Sequence, residues 1–287
     1  MSIVKNKGYS NGEIVQATQN DLDQLTIFFN QSHKIHRHLD WFGPLDWLGK
    51  QPYLYIIEND QVEAVICAVP DNPEIAWIRT FGIHDTAHLK IYWTRLLSET
   101  ITKLRNSGIK RIACLSLHKW FENLLITANF ENHHNIIVLQ WQEIFPNKRP
   151  QRLKLRSMTE RDLQEVEQID HNAFPPIWQN SREGLKKAIQ HNGVRTVALE
   201  NGKLIGYQIS TTMTFYGHLS RLAVHPDYQN KGIGYAIVYD LLKRLTQQGF
   251  SRITVNTQSN NLPSLRLYKQ LGFIRTGEEI PVYELDI

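Results

Sequence analysis

The stretch Leu222-Ala223-Val224-His225-Pro226-Asp227-Tyr228-Gln229-Asn230-Lys231-Gly232-Ile233-Gly234-Tyr235 reads as an apolar strand end, a turn, and a glycine-containing loop that opens into a helix. Ile237, Leu241, Leu242 and Leu245 follow at helical spacing, so the loop's amide groups stand at a helix N-terminus. Backbone N–H groups are unpaired there and the helix dipole favours an anion, which makes 229–235 a candidate diphosphate cradle. Gly232 and Gly234 would let phosphates approach the backbone closely.

Downstream come a strand over 252–256 and then Asn261-Leu262-Pro263-Ser264-Leu265-Arg266-Leu267-Tyr268-Lys269-Gln270-Leu271-Gly272-Phe273. Asn261 is a good N-cap, Pro263 falls in the first turn, and Gly272 ends the helix. This order of strand, Gln-x-x-Gly-x-Gly, helix, strand, Asn, and Tyr seven residues later resembles the GNAT superfamily of acetyl-coenzyme A-dependent N-acetyltransferases. The resemblance implies acetyl-CoA as cofactor, with coenzyme A as product. It places the pantetheine arm along Leu222, Ala223 and Val224, and the diphosphate on Gln229, Asn230, Lys231, Gly232, Ile233, Gly234 and Tyr235. Asn261 and Ser264 complete the expected cofactor set, although an N-cap asks for Asn with or without a ligand. Tyr268 is the expected general acid. Lys231 reads equally as a solvated loop lysine, and His225, before Pro226 in a turn, reads as structural.

The chain has 287 residues, enough for two ordinary domains. No apolar run approaches the ~20 residues of a membrane span, and residues 1–12 are polar without a signal-peptide pattern, so a soluble cytoplasmic protein is expected. Cys67 and Cys114 lie in separate apolar stretches and read as buried, reduced thiols; no residue spacing suggests a metal site. The formal net charge of +4 falls wholly from position 151 onward. That suits a polyanionic cofactor but is too scattered for nucleic acid.

A repeat divides the chain. Thr18-Gln19-Asn20-Asp21-Leu22 returns 141 positions on as Thr159-Glu160-Arg161-Asp162-Leu163, both reading as helix starts. His84 matches His225, and Gly108 with Arg111 matches Gly249 with Arg252, at the same offset. The expected fold class is therefore α/β (α+β), as two tandem GNAT-like domains, each a mixed, mostly antiparallel central sheet flanked by helices. Residues 1–12 read as a flexible N-terminus, 13–147 as a degenerate copy, and 148–287 as the catalytic domain, with the boundary in the proline-bracketed segment 145–150. Opposite Gly232 and Gly234 the first copy carries Ile91 and Trp93, whose side chains would fill the phosphate space; Leu125 stands opposite Tyr268. The copies are expected to form an intramolecular pseudo-dimer in a monomeric chain. Trp41-Phe42-Gly43-Pro44-Leu45-Asp46-Trp47 reads either as an acceptor groove or as packing between domains. His33, His36 and His38 do not share a helical face, which argues against a metal.

In the second half, Ala173-Phe174-Pro175-Pro176-Ile177-Trp178 followed by a helix over 183–189 is similar to the bacterial ribosomal-protein N-terminal acetyltransferases. The resemblance covers about 153–273 and implies a protein or peptide N-terminus as amine acceptor. A small amine, as in the similar tandem mycothiol synthases, and a coenzyme A-binding module without turnover are the alternatives. Acetyl transfer by direct attack needs an ordered thioester, a neutral amine and a proton for the thiolate. That family expects a glutamate base twelve residues before the tyrosine, where this chain has Asn256. Either His218, Tyr216 or Glu284 relays the proton, or the amine arrives neutral, which suits an α-amine far better than a lysine.

Overall fold

The computed structural model describes residues 12–70, 72–148, 150–214 and 216–287, so residues 1–11 of the expected flexible segment lie outside the described residues. Gly12, its last residue, is buried: its carbonyl accepts from Arg95 Nη2 at 2.5 Å, and an added Cβ would meet Ile56 at 2.7 Å. The chain forms two compact units. The first holds 12–131 and Glu284–Ile287; the second is Asn132–Tyr283.

The first unit runs β1 (Glu13–Gln16), α1 (Leu22–Gln31), β2 (Lys34–Arg37), β3 (Tyr53–Glu58), β4 (Gln61–Cys67), β5 (Ile75–Trp77), β6 (Thr80–Ile83), α2 (Leu89–Asn106), β7 (Arg111–Leu115) and α3 (Lys119–Thr127). Thr18 and Asp21 form a capping box ahead of α1, the Thr18 amide donating to Asp21 Oδ2 at 2.7 Å. One sheet has the antiparallel order β1-β3-β4-β6-β2, and β5 runs parallel to β7. Phe81 meets Trp93 and Phe121 in the core, with ring centroids 4.9 and 5.9 Å apart. Trp47 is 2% exposed in the core of this same unit, beside Phe42 and beneath the Arg79 guanidinium. The aromatic stretch 41–47 therefore supplies a core residue at Trp47, where the sequence had suggested a groove or an inter-domain pad. His36 is likewise interior, stacked 4.1 Å from Phe121 with its Nε2 3.5 Å from Cys114 Sγ, and burial drives its pKa down to about 3. Both cysteines are buried and free, and burial pushes the Cys67 thiol up to about 12.

The second unit runs β8 (Glu131–Trp141), β9 (Lys154–Ser157), α4 (Leu163–Ala173), α5 (Arg182–Ala188), β10 (Arg195–Glu200), β11 (Lys203–Met213), β12 (Tyr216–Val224), α6 (Ile233–Gln247), β13 (Arg252–Gln258), α7 (Leu262–Gln270) and β14 (Phe273–Asp286). Its strands lie in the order β14-β8-β13-β12-β11-β10-β9, with β12 and β13 parallel. Asn201-Gly202, at φ 51° and 81°, makes the expected tight hairpin between β10 and β11. The apolar face of α6 (Val238, Leu241, Leu242, Leu245) packs on Ile137, Leu139 and Trp141 of β8 and on Ile253 and Val255 of β13. Each such leucine buried stabilises by roughly 1.5–3 kcal/mol.

Two segments depart from the division expected at 147/148. Strand β8 follows α3 in the chain, yet from Asn132 it belongs to the second unit, where it pairs antiparallel with β13 from Ile136↔Gln258 to Gln140↔Thr254. Residues 284–287 belong to the first, where Arg111 Nη1 donates to Glu284 Oε2 at 3.0 Å and the Ile287 amide to the Lys110 carbonyl at 2.9 Å. The physical cause is apolar pattern: Ile137, Leu139 and Trp141 alternate inward and are buried in the cluster formed with α6, β13 and α7.

A second difference concerns Ile91 and Trp93. Both lie inside α2, and Trp93 is buried in the aromatic core. The first unit has only residues 84–88 between β6 and α2, against 225–232 between β12 and α6. A shortened connection, rather than bulky side chains set in a loop of equal length, distinguishes the first copy.

Candidate active site

Strand β12 carries the site because it leaves its neighbour halfway along. Its parallel pairing with β13 covers only Tyr216↔Arg252 to Leu219↔Val255. On the other side, Ile209 faces Arg221 and Ser210 faces Leu219, so Ser220 is an extra residue in a β-bulge. The bulge bends the strand where the two part, leaving Leu222, Ala223 and Val224 with backbone groups on one edge unmatched by β13.

The chain then makes a 3-10 turn over Pro226–Tyr228, in which His225 Nδ1 accepts from the Asp227 amide at 3.3 Å. Asn230 and Gly232 both adopt positive φ, 59° and 77°, immediately before α6. Left-handed residues next to a helix start turn successive N–H groups toward one point, an anion nest. The first intrahelical bond runs from the Ala236 amide to the Gly232 carbonyl, so the amides of Ile233, Gly234 and Tyr235 have no partner within the helix. Gln229 Nε2 donates to the Val224 carbonyl at 3.0 Å and Gln151 Nε2 to the Lys231 carbonyl at 2.8 Å, bracing the loop. A Cβ at Gly232 would have only Gln151 nearby, at 3.9 Å, so backbone conformation is what demands glycine there.

These parts face a cavity of about 860 Å³. It is lined by Leu222, Ala223, Val224, Gln229, Asn230, Gly232, Ile233, Gly234, Tyr235, Asn261 and Ser264 from the expected cofactor set. Lys231 and Tyr268 do not line it. Lys231 turns back, its Nζ donating to the Asp227 carbonyl at 2.9 Å beside the Tyr228 ring. Asn261 caps α7, its Oδ1 accepting from the Ser264 amide at 3.3 Å, and borders the cavity as well. Tyr268 is 4% exposed in the core, its ring 5.6 Å from Phe273. Burial pushes its phenol well above the ordinary range, opposed by the charge of Arg221, so it keeps its proton.

Sequence reasoning missed His134, Lys148, Gln258 and Arg266 on the cavity wall, where Phe174 and Trp178 of the 173–178 motif also lie. Lys148 and Arg266 add positive charge, and the Tyr235 hydroxyl donates to the Lys148 carbonyl at 2.8 Å. Phe174 and Trp178 are held by a buried ion pair that was also missed. Arg221 Nε and Nη2 donate to both Asp170 carboxylate oxygens at 2.7 and 2.8 Å, with Asp170 fully buried. The Tyr207 hydroxyl donates to Asp170, Arg221 Nη2 donates to the Trp178 carbonyl at 2.5 Å, and the guanidinium lies 3.6 Å from the Phe174 ring. A charged residue at the bulge thus pins one wall of the cavity.

None of the three relays named for the missing glutamate borders the cavity. His218 Nδ1 pairs with Thr254 Oγ1 at 2.9 Å and burial pulls its pKa to about 4; Tyr216 donates to Met213 Sδ; Glu284 lies in the other unit, paired with Arg111. Asn256 is paired in the ladder opposite Val138.

Residues 163–273, from α4 to the start of β14, match the family described as Acetyltransferase (GNAT) family. The [ribosomal protein bS18]-alanine N-acetyltransferase of Escherichia coli K12 is 31% identical over 74 residues, 26% of this chain and 50% of that protein, so the chain spans about half the length of the curated relatives it matches. Among solved structures, a tandem GNAT protein from the clavulanic acid biosynthesis pathway superposes with TM-score 0.67 at 11% identity, covering 96% of this chain and 98% of the other. A GCN5-related N-acetyltransferase from Sphaerobacter thermophilus gives 0.61 at 13% identity, covering 95% of each. The chain thus has a tandem GNAT fold. Within it, segment 163–273 is the part similar to the GNAT acetyltransferase family.

Proposed function

We propose that the second unit transfers the acetyl group of acetyl-CoA to a primary amine by direct attack, and that the acceptor is a protein or peptide N-terminus. The observation that carries this reading is the half-unpaired strand β12, ending in the nest at Asn230 and Gly232 on the wall of one cavity. The diphosphate would sit on the free amides of 233–235, the pantetheine amides would pair with Leu222, Ala223 and Val224, and a strand amide would polarise the thioester carbonyl. Tyr268, kept protonated by burial, would protonate the departing thiolate. The bS18-alanine acetyltransferase likeness favours an α-amine acceptor. We further propose one cofactor site per chain, the 13–147 copy serving a structural or substrate-shaping role.

The test is thiol release from acetyl-CoA with pools of free-N-terminal peptides and, separately, small amines. Turnover with peptides is expected. Turnover with small amines alone would replace the acceptor. Tight acetyl-CoA binding without thiol release from any amine would favour a coenzyme A-binding module, the reading that the position of Tyr268 off the cavity wall would then support.

A further inference from the structure

We infer that His134, on strand β8, is the general base that takes a proton from the acceptor amine; the inference rests on the acetyltransferase reading above. A base for an ammonium must border the cavity and accept a proton near neutral pH. Among the described residues, five ionisable side chains line the cavity: His134, Lys148, Tyr228, Tyr235 and Arg266. Lysine and arginine are already cationic at neutral pH, and a tyrosine hydroxyl is a poor proton acceptor there. No carboxylate is among the described lining residues, so among them the imidazole is the usable base.

The backbone holds His134 in place. Ile136 pairs with Gln258 in the β8–β13 ladder, and one step further the Ser259 amide donates to the Asn135 carbonyl at 2.8 Å. The ring meets Trp178 edge-on at 5.8 Å between centroids, and Trp178 is the residue whose carbonyl Arg221 grips. His134 thus stands beside the wall that Asp170 and Arg221 make rigid, on the strand next to the one carrying Asn256. The glutamate missing from β13 is replaced by an imidazole from β8. Among the described residues, the charged groups sharing the cavity with it are Lys148 and Arg266.

The proton count closes. His134 takes one proton from the ammonium and passes it to solvent. The freed nitrogen lone pair attacks the thioester carbon, the N–C bond forms, and the C–S bond breaks with its electrons leaving on sulfur. Nitrogen loses its second proton to solvent, Tyr268 gives its own to the thiolate, and solvent returns one proton to Tyr268.

The experiment follows thiol release by the full chain with acetyl-CoA and an alanine-initiated peptide from pH 5.5 to 9, for wild type, His134→Gln and His134→Ala. His134→Gln is expected to lower kcat about 10²-fold at pH 7, with acetyl-CoA affinity by calorimetry unchanged. Its kcat/KM profile should move to the ionisation of the peptide amine, near 7.7–8.0, and imidazole in the buffer should restore rate to His134→Ala. Wild-type rate and profile in His134→Gln would overturn the inference while leaving the acetyltransferase reading standing. So would a lowered rate with an unmoved profile and no imidazole rescue. A wild-type protein that binds acetyl-CoA but releases no thiol would overturn both.

Discussion

In each unit a strand starts parallel to a neighbour and then leaves it, and the two units differ in what meets the edge so exposed. In the first, β5 pairs with β7 from Ile75↔Arg111 to Trp77↔Ala113, the chain turns away through Ile78 and Arg79, and all four residues of β6 pair on both sides, with β4 and β2. In the second, β12 pairs with β13 for four residues and its last three stand open to the cavity. The segment that closes the first gap is Lys34-Ile35-His36-Arg37; its counterpart 141 positions on is Pro175-Pro176-Ile177-Trp178. Two consecutive prolines have no N–H to give a ladder, so that segment forms no strand, and its Pro175 and Trp178 line the cavity. The cavity lies where a strand has been withheld.

The strongest test of this contrast is Gly232→Val. A β-branched residue at φ 77° is strained and would turn the nest amides away, so acetyl-CoA affinity should fall by 10²-fold or more in calorimetry. Wild type should bind one equivalent. Two equivalents would show that the closed edge in the first unit does not exclude cofactor, and would break the comparison.

Arg221→Leu should be next in size. It leaves Asp170 charged and buried without its partner, a loss of about 3–5 kcal/mol in the unfolding free energy of the second unit. A change below about 1 kcal/mol in urea titration would mean that the Phe174–Trp178 wall holds itself.

Tyr268→Phe should lower turnover by about 10²-fold without altering acetyl-CoA affinity. Full activity would remove the tyrosine from the chemistry and leave the strand edge and the longer connection at 225–232 to distinguish the copies.

The smallest effect concerns acid. His36 and His38 in the first unit and His218 in the second are held neutral by burial, His36 to about 3 and His218 to about 4. Unfolded, each binds a proton near 6.5. The unfolded state therefore holds more protons as pH falls below that value, and stability drops by up to roughly 1.4 kcal/mol per pH unit for each histidine. For His218 the loss is complete by about pH 4, while for His36 it continues to about pH 3. Asp162, held at about 2 chiefly by Arg156, adds a loss between roughly pH 4 and 2. Urea midpoints at pH 7 and 4.5 should fall more for the first unit, with two such histidines against one. Equal sensitivity would contradict this.

Much of the architecture was legible because it rests on local chemistry. Thr18 and Asp21, and Asn201 and Gly202, announce a helix start and a hairpin through local backbone preference. The loop at 229–232 and helix α7 were readable for the same reason. What escaped depends on partners distant in sequence. Arg221 is an unremarkable strand residue until Asp170, 51 positions earlier, is seen beside it. His134 was invisible to a division that assigned 13–147 to the other copy, since nothing in an alternating strand says which sheet it joins. Ile91 and Trp93 misled for a related reason: counting at fixed offset assumed equal loops, whereas the first unit's connection is shorter.

The exchange of β8 and residues 284–287 has a consequence for how the chain is made. Synthesis delivers the first unit's strands and helices early, but its edge at Lys110 and Arg111 receives its partners, Glu284, Asp286 and Ile287, only after all of the second unit has been translated. Domains ordinarily fold one after another as they leave the ribosome. Here β8 emerges with the first unit and must wait for β13, more than a hundred residues later, before its ladder can form. The unit begun first is the one completed last.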